Sequence, residues 1–530
     1  MALQVREISL GLEQDETHLR LKVANALGLD PEEIDNLSIV RVSFDARRKP
    51  RIYKIYTVQF TVENEQALLT RQSRNQRLQK VARPELPDLP PVPTPRRAMV
   101  VGMGPAGLFA ALRLARQGVS VCLIERGRPV ESRVRDVRGF WSGGELDPVS
   151  NVQFGEGGAG TFSDGKLTTR INHPWMRFVL QTLVGFGAPE EILVQSKPHI
   201  GTDRLRLVLI NFRQALKELG VEIRYESRLT GFVQKQNTLQ AAIVNETEEF
   251  PCDTLVLAPG HSARDTYSML DTSGVAMEAK PFAVGVRVEH PAELINAIQF
   301  GHPNHPQLPA AEYALTFNDR ETGRGTYSFC MCPGGEVVNA SSEAGALVVN
   351  GMSSLARAGS TSNSALVVTV RQDDLPGESP LAGVRFQREW ERLAFQTGGG
   401  GHLAPAENMM AFLGRGKGPI RSTCRPGIAE ASLQETLPGF VVDGLRRALP
   451  HFDRRMRGFV TAEATLIGVE TRTSSPVWIL RNEEGESISH QGLFPCGEGA
   501  GYAGGIMSAA LDGLRTAGHV VDKPVTGEKI

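Results

Sequence analysis

The stretch Val100-Val101-Gly102-Met103-Gly104-Pro105-Ala106-Gly107 decides the fold. The apolar run Ala98–Gly102 reads as a buried strand, and about Pro105 to Gln117 as the helix that follows it. Val119–Glu125 then reads as a second strand. Each glycine of the G-x-G-x-x-G pattern has a physical task. Gly102 makes the tight turn out of the strand, Gly104 lets backbone approach a pyrophosphate, and Gly107 lets the helix pack close to the strand. The helix N-terminus presents free N–H groups and a positive dipole end to phosphate. Pro105 and Ala106 share that turn. Glu125 ends the second strand, with Arg126 beside it, where a carboxylate accepts hydrogen bonds from a ribose diol. An acid there favours FAD or NAD over NADP.

The choice of dinucleotide falls to Gly492–Leu514, which runs Gly-Leu-Phe-Pro-Cys-Gly497-Glu498-Gly-Ala-Gly-Tyr-Ala-Gly504-Gly505-Ile506-Met-Ser-Ala-Ala-Leu-Asp-Gly-Leu. An apolar strand enters Gly497-Glu498, and glycines precede a helix near Ile506–Arg515. This resembles the second flavin motif of two-dinucleotide-domain FAD proteins. There a strand ends in Gly-Asp, the acid binds the ribityl chain, and the next helix points at the flavin ring. Glu498 replaces the commoner Asp. Thr254-Leu-Val-Leu-Ala-Pro-Gly260 resembles the intermediate strand–turn of the same superfamily, with Pro259 departing from its usual Ala-Thr-Gly. The three motifs in this order imply FAD as cofactor, with Gly260, Gly497, Glu498, Gly504, Gly505 and Ile506 among its contacts.

Further stretches carry a closer resemblance. They are Val152-Gln-Phe-Gly-Glu-Gly-Gly-Ala-Gly-Thr-Phe-Ser-Asp-Gly-Lys166, Ala279-Lys-Pro-Phe-Ala-Val-Gly-Val-Arg287, Tyr327-Ser-Phe-Cys-Met-Cys-Pro-Gly-Gly335 and Asn350-Gly-Met-Ser353. Together they resemble the bacterial and plastid FAD-dependent dehydrogenase family over nearly the whole chain. In related flavoproteins such a glycine loop runs along the pyrophosphate and ring. This implies cofactor roles for Gly157, Gly158, Gly160, Thr161 and Asp164, and a catalytic role for Lys166. Tyr327–Gly335 resembles a strand that crosses the substrate domain close to the flavin in hydroxylase-type and reductase-type relatives. Cys330 and Cys332 lie on it two apart, the spacing that puts both thiols on one face of a strand. They are read as redox-active or as proton donors, against the alternative of packing. His261 follows Pro259-Gly260 and is a further catalytic candidate. His402 follows the glycine run 398–401 and is read, with the glycines of 398–418, as a loop over the substrate site.

The surroundings agree with an enzyme of several domains. The chain has 530 residues, 58 Lys+Arg against 59 Asp+Glu, and 55 glycines. The glycine excess clusters at 102–107, 143–165, 398–418 and 492–514. The balanced charge argues against bulk nucleic-acid binding. No run of 18 apolar residues suggests a membrane span, and no signal peptide is read at the N-terminus. Six scattered cysteines argue against a disulfide framework or a zinc site. There is no second strand–GxGxxG–helix unit, and no metalloprotease, serine-hydrolase or P-loop pattern.

The expected fold class is α/β: a Rossmann-type FAD-binding domain interrupted by a β-rich α+β substrate domain, with a small N-terminal α+β domain. The expected divisions are the small domain at 1–82, reading strand, helix, strand, strand, helix, and a proline-rich linker at 83–97. FAD-binding segments follow at 98–264 and 441–530, around a substrate domain at 265–440. The expected function is a cytoplasmic FAD-dependent oxidoreductase exchanging a hydride between FAD and a small organic substrate, with NAD(P)H or another carrier as transient electron donor. A second reading, an RNA-binding or RNA-modifying flavoprotein, rests on the basic loop Asp45–Arg51 together with Arg41 and Lys54.

Overall fold

The computed structural model describes residues 2–82, 89–92 and 96–523. The small N-terminal domain runs β1 (Ala2–Gly11), α1 (Leu19–Leu27), β2 (Asp35–Arg48), β3 (Arg51–Thr61), α2 (Glu65–Arg71) and β4 (Leu78–Val81). The sheet order is β2-β3-β1-β4, all antiparallel, the split β-α-β-β-α-β arrangement. The inward residues Leu3, Val5 and Leu10 of β1 and Val58 and Phe60 of β3 meet Leu19, Val23 and Leu27 of α1. α1 stops at Gly28, which adopts the left-handed conformation at φ 64°. The fourth strand is absent from the sequence reading because only Leu78 of its four residues is buried, so no alternation announces it.

Among the described residues, hydrogen bonds tie this domain to the rest at two places. Val42 of β2 donates its N–H to the Val194 carbonyl (2.8 Å) and accepts from Ser196 N–H (2.9 Å). The β2–β3 hairpin tip reaches the helix Ala292–Phe300, where Lys49 Nζ donates to the Ile298 carbonyl. Arg47 pairs with Asp45 at 2.6 Å. Lys49 and Arg47 of the basic loop are thus engaged within the protein, while Arg41, Arg48 and Arg51 remain exposed. Of the expected linker at 83–97, residues 83–88 and 93–95 lie outside the described residues. Within it, Leu89 packs against the body and Val92 N–H bonds the Gln117 carbonyl at 2.9 Å.

The body is built on a five-stranded parallel sheet in the order Leu493–Pro495, Thr254–Leu257, Arg97–Val101, Ser120–Ile124, Glu222–Arg224. Alternate residues serve two cores, as the period of two requires. Ala98, Val100 and Val256 face the helices Pro105–Arg116, Thr202–Glu218 and Ile506–Asp522. Met99, Val101, Leu255 and Leu257 face a three-stranded antiparallel sheet formed within residues 229–251. Both faces are covered, which explains why these strands read as continuous apolar runs.

The chain leaves this unit after the helix Arg264–Thr272 and builds a seven-stranded sheet. Its order is Thr316–Asn318, Gly325–Cys332, Thr361–Val370, Phe282–Pro291, Thr465–Glu470, Ala404–Asn408, Ile428–Glu430. The expected domain limit at 440 is corrected here. The helix Gly439–Arg455 buries Val441, Leu445, Leu449 and Phe452 against this sheet, and Thr465–Glu470 is one of its inner strands. The second unit therefore extends to about 473, and the chain rejoins the parallel sheet at Leu493–Pro495. The strand pairings that decide this are remote in sequence, so local pattern does not reveal them.

A buried charge cluster ties the two units together. Glu391, on the helix Ala382–Thr397, accepts from Arg264 (2.6 and 2.9 Å), from Arg472 (2.7 and 3.0 Å) and from Thr471 (2.6 Å). Arg264 lies where the chain leaves the parallel-sheet unit and Arg472 where it returns. Burial alone would raise the Glu391 carboxyl, but the two guanidinium groups hold it well below the usual carboxylate range.

Candidate active site

A cleft opens at the carboxyl ends of the parallel strands, where Val101, Ile124, Ala258 and Cys496 reach it. In parallel α/β sheets this is where ligands bind. Two helices aim their N-termini at the cleft. The turns Gly104–Ala106 and Gly504–Ile506 both line it, at the starts of Pro105–Arg116 and Ile506–Asp522. The first-turn N–H groups of a helix lack intrahelical partners and carry the positive dipole end. The helices lie so close that a Cβ on Gly513 would stand 2.1 Å from the Ala106 carbonyl oxygen.

The first turn is fixed sterically. Gly102 has φ +98°, and a Cβ there would sit 2.2 Å from the Ala258 carbonyl oxygen. A Cβ on Gly107 would sit 1.9 Å from the Gly102 carbonyl oxygen. On Gly104, Gly504 and Gly505, by contrast, an added Cβ meets nothing within 4 Å, because these residues border open cleft. Backbone that closes on itself behind and opens on the cleft side is a shape that fits a diphosphate and a planar ring. A dinucleotide such as FAD therefore fits the residues present.

Glu125 lines the cleft and also organises it. Its carboxylate accepts from Met103 N–H (2.9 Å), Gly127 N–H (3.0 Å) and Gly155 N–H (2.9 Å). A carboxylate has about four acceptor positions, so one remains for a ribose hydroxyl. Arg126 also borders the cleft. It bonds Asp265 (2.9 Å) and Thr266 (2.9 Å), and its guanidinium lies 4.3 Å from the centre of the Phe154 ring.

The glycine-rich loop is held by a residue that the sequence does not single out. Arg133 is fully buried on the helix Val130–Trp141. It donates to the carbonyls of Asn151 (2.8 Å), Val152 (2.9 Å), Gly155 (3.1 Å) and Glu156 (2.7 Å), and to Thr161 Oγ1 (3.1 Å). Its fork of donors therefore casts the loop from behind, as Arg geometry permits and Lys geometry does not. Arg133→Met is expected to weaken FAD retention by at least about tenfold, or 1.4 kcal/mol. Titration of the FAD-free protein with FAD, followed by fluorescence, would measure it.

At the other end of the cleft stand Asp164, Lys166, Cys330 and Glu498. Asp164 accepts from Ser353 (2.6 Å) and Arg357 (2.9 Å), and pairs with Lys166 at 2.9 Å. Burial would raise its carboxyl, but Lys166 and Arg357 hold it far below the usual range. Lys166 also donates to the Met331 carbonyl, which pins it to the strand bearing the cysteines. Burial pushes the Glu498 carboxyl up to about 7, against Gly505 N–H (3.3 Å) and the charge of Lys280. Folding thus shifts Glu498 toward its protonated form. Its contribution to the stability of the FAD-free protein should fall as pH rises from its ordinary value near 4.5 through about 7. Denaturation midpoints at pH 5 and pH 8 should show a smaller drop for Glu498→Gln than for the unmodified chain.

The two cysteines do not share a face. The pairing of Gly325–Cys332 with Thr361–Val370 slips between Phe329 and Cys332, a β-bulge in which Cys330 takes φ +43°. Cys330 turns to the cleft and is half-buried, while Cys332 is fully buried behind it. Period two fails because a bulge inserts a residue. The neighbouring Cys332 thiol lowers the Cys330 thiol against its burial, assisted by the charges of Arg287 and Lys166.

The remaining expected residues divide. Pro105, Ala106, Gly158, Gly160, Gly260 and His261 border the cleft. Gly107, Gly157, Thr161, Gly497 and Cys332 stand behind its wall. Thr161 Oγ1 bonds the Glu156 carbonyl (3.0 Å), Gly157 N–H bonds the Met103 carbonyl (2.9 Å), and Gly497 N–H bonds Asp512 (2.7 Å). Burial and the charges of Arg472 and Arg264 push the His261 imidazole down to about 4, so it is neutral at neutral pH. The expected loop over the substrate site at 398–418 is corrected. None of those residues borders the cleft, and His402 is wedged between Phe140 (5.1 Å) and Phe395 (4.9 Å). Phe329 and Asn350 border the cleft from two of the quoted stretches, whereas Arg472 and Thr473 border it without any local motif to announce them.

Three family models match the chain. A domain of unknown function covers 2–61, an FAD binding domain covers 96–139, and a model described as FAD-dependent protein, C-terminal domain-like, covers 281–473. An uncharacterized protein of Clostridium beijerinckii is 46% identical over 529 residues, 99% of each chain. An FAD-dependent monooxygenase of Hypoxylon pulicicidum is 30% identical over 212 residues, 38% of this chain and 44% of that one. Among solved structures, a flavin-dependent brominase gives a TM-score of 0.37 at 12% identity, covering 81% of this chain and 80% of its own. A glycine oxidase of Bacillus cereus gives 0.33 at 11% identity, covering 81% and 95%. Scores this low carry no argument.

Proposed function

Since this chain belongs to a family of FAD-dependent proteins, shared over its whole length with the Clostridium beijerinckii protein, we propose that it is an FAD-dependent dehydrogenase or reductase for a small organic substrate. FAD is its cofactor. The observation that carries the reading is the convergence of two long helix N-termini on one cleft, with an acid at each end of it.

In this reading the turn Gly102–Gly107 holds the pyrophosphate. Glu125 takes a ribose hydroxyl, and Arg126 with Phe154 closes the adenosine end. Gly158 and Gly160 pass along the middle of the cleft. Glu498 faces the ribityl chain, and the turn Gly504–Ile506 faces the ring. Bound FAD supplies two-electron hydride chemistry, and the protein supplies placement and protons. Lys166, oriented by Asp164 and the Met331 carbonyl, and Cys330, on its bulge, stand where a substrate would lie against the ring. Either moves a proton to or from a substrate heteroatom or carbon. Arg472, locked by Glu391, presents a fixed positive wall beside neutral His261.

The test is anaerobic. The flavin band of the purified protein is followed while NADH, NADPH and panels of small hydroxy, amino and unsaturated acids are added. Bleaching by one of them, and slower bleaching in Lys166→Met, is expected. A protein that carries FAD which dithionite bleaches, and that no organic hydride donor bleaches, would contradict the reading.

A further inference from the structure

The bulge at Cys330 places two thiols in an arrangement that packing alone does not require. Cys330 is a non-glycine residue at φ +43°, a strained conformation that is retained where something else holds it. Here Arg287 holds it. This arginine is fully buried, paired with Glu470 at 2.6 Å, and donates to the Cys330 carbonyl at 2.9 and 3.1 Å. Lys166 grips the next carbonyl, that of Met331. The result turns one thiol into the cleft and keeps the second directly behind it. Cys332 Sγ lies 3.5 Å from the Cys330 carbonyl oxygen. Cys330 and Glu498 both border the cleft, and Glu498 accepts from Gly505 N–H at the turn into the second helix. None of the other four cysteines has these features. Cys122, Cys252 and Cys424 do not border the cleft, and Cys496, which reaches it just after the strand Leu493–Pro495, is fully buried with no second cysteine on its segment.

Resting on the FAD reading above, we infer that Cys330 and Cys332 form a redox-active dithiol that carries electrons from the reduced cofactor to a small disulfide, so that the electron acceptor is a disulfide. Cys330 is the accessible nucleophile and Cys332 the resolving thiol. The Cys330 thiolate attacks one sulfur of the acceptor, breaking its S–S bond, forming a mixed disulfide and releasing the first product thiol, which takes up a proton. Cys332 gives up its proton to water or to the departing group and attacks Cys330 Sγ, which releases the second product thiol. The Cys330–Cys332 disulfide then takes two electrons from reduced FAD and two protons, restoring the dithiol. The organic hydride donor of the proposed reaction re-reduces FAD. In sum, one donor loses two electrons and two protons, and one disulfide becomes two thiols.

The chemistry of the side chains suits this order. Lys166 and Arg287 stabilise a thiolate on the half-buried Cys330 and none on a leaving group in bulk water. The two cysteines are only two residues apart in the chain, and a disulfide across so short a span is strained and easily reduced, as an electron relay needs.

The test uses the purified holoprotein. It is reduced anaerobically with one equivalent of dithionite and mixed with 5,5′-dithiobis(2-nitrobenzoate) or with oxidised lipoamide. Return of the oxidised flavin spectrum is followed. Reoxidation by the disulfide in the unmodified chain, and its loss in Cys330→Ser and in Cys332→Ser, is expected. A second readout does not need turnover. FAD-free protein treated with oxidised dithiothreitol should yield a peptide spanning 330–332 that is lighter by two hydrogens and resistant to alkylation at both cysteines. Absence of bound flavin would overturn the FAD reading itself. A flavin that dithionite bleaches normally, with Cys330 and Cys332 alkylated independently after the oxidising treatment, would overturn the dithiol and leave the FAD reading standing. Equal reoxidation in both serine variants would do the same.

Discussion

Glu391→Ala should lower the stability of the folded chain by about 3–5 kcal/mol, the cost of breaking a buried ion pair by removing one partner. The substitution leaves the Arg264 guanidinium fully buried with Glu343 (2.9 Å) and Gln387 (3.0 Å), and leaves Arg472 with two serine hydroxyls. Both arginines lie at the crossings between the parallel-sheet unit and the seven-stranded unit, so the loss should loosen the two relative to each other. Glu391→Gln keeps the shape and part of the hydrogen bonding but not the charge, and should fall between. Denaturant midpoints of the two variants decide it. A change under about 1 kcal/mol, the worth of an exposed pair, would show that water reaches the cluster.

The second large effect concerns the first turn. Gly102→Ala introduces a Cβ 2.2 Å from the Ala258 carbonyl oxygen, on a residue at φ +98°. Neither atom is the end of a flexible side chain, so backbone must move on one strand or the other. The turn that carries Gly104 is the part that moves, and with it the N–H groups facing the cleft. FAD affinity should fall by at least about a hundredfold, or 2.8 kcal/mol. Gly104→Ala is the informative partner, since its Cβ touches no protein atom and projects toward open cleft. Its protein should fold with unchanged stability and lose FAD by obstruction alone. Equal loss of stability in both variants would remove the distinction between a turn made for packing and a turn made for a ligand.

The parts of the molecule that were legible in the sequence share one property. Their signal lies within about twenty-five residues of chain. The strand–turn–helix at 98–116, the acid at 125, and the strand, glycines and helix at 493–522 announce themselves because one residue type at each position has a local steric or dipolar reason. The small domain's hairpin is legible for the same reason. The rest depends on partners far away in sequence. Thr465–Glu470 pairs with Phe282–Pro291 across most of the second unit, and nothing local assigns it there. Arg133 looks like a surface charge on an amphipathic helix until the carbonyls of 151–156 turn around it. The cysteine pair is instructive in the other direction. Alternation along a strand predicts one shared wall, and the bulge at Cys330 separates accessible from buried thiol. The glycines of 398–418 are a false signal, since a Cβ on Gly398 would meet the Leu403 carbonyl at 1.9 Å in a turn away from the cleft.

The most direct measurement is a crystal structure of the purified chain with FAD. The account predicts one FAD per chain, with its pyrophosphate on the Gly102–Gly107 turn, its adenosine end between Glu125 and Arg126, and its ring against Gly504–Ile506 within reach of Lys166 and Cys330. FAD bound elsewhere, or lying in this cleft with its ring at Glu125 and its adenine at Glu498, would contradict it.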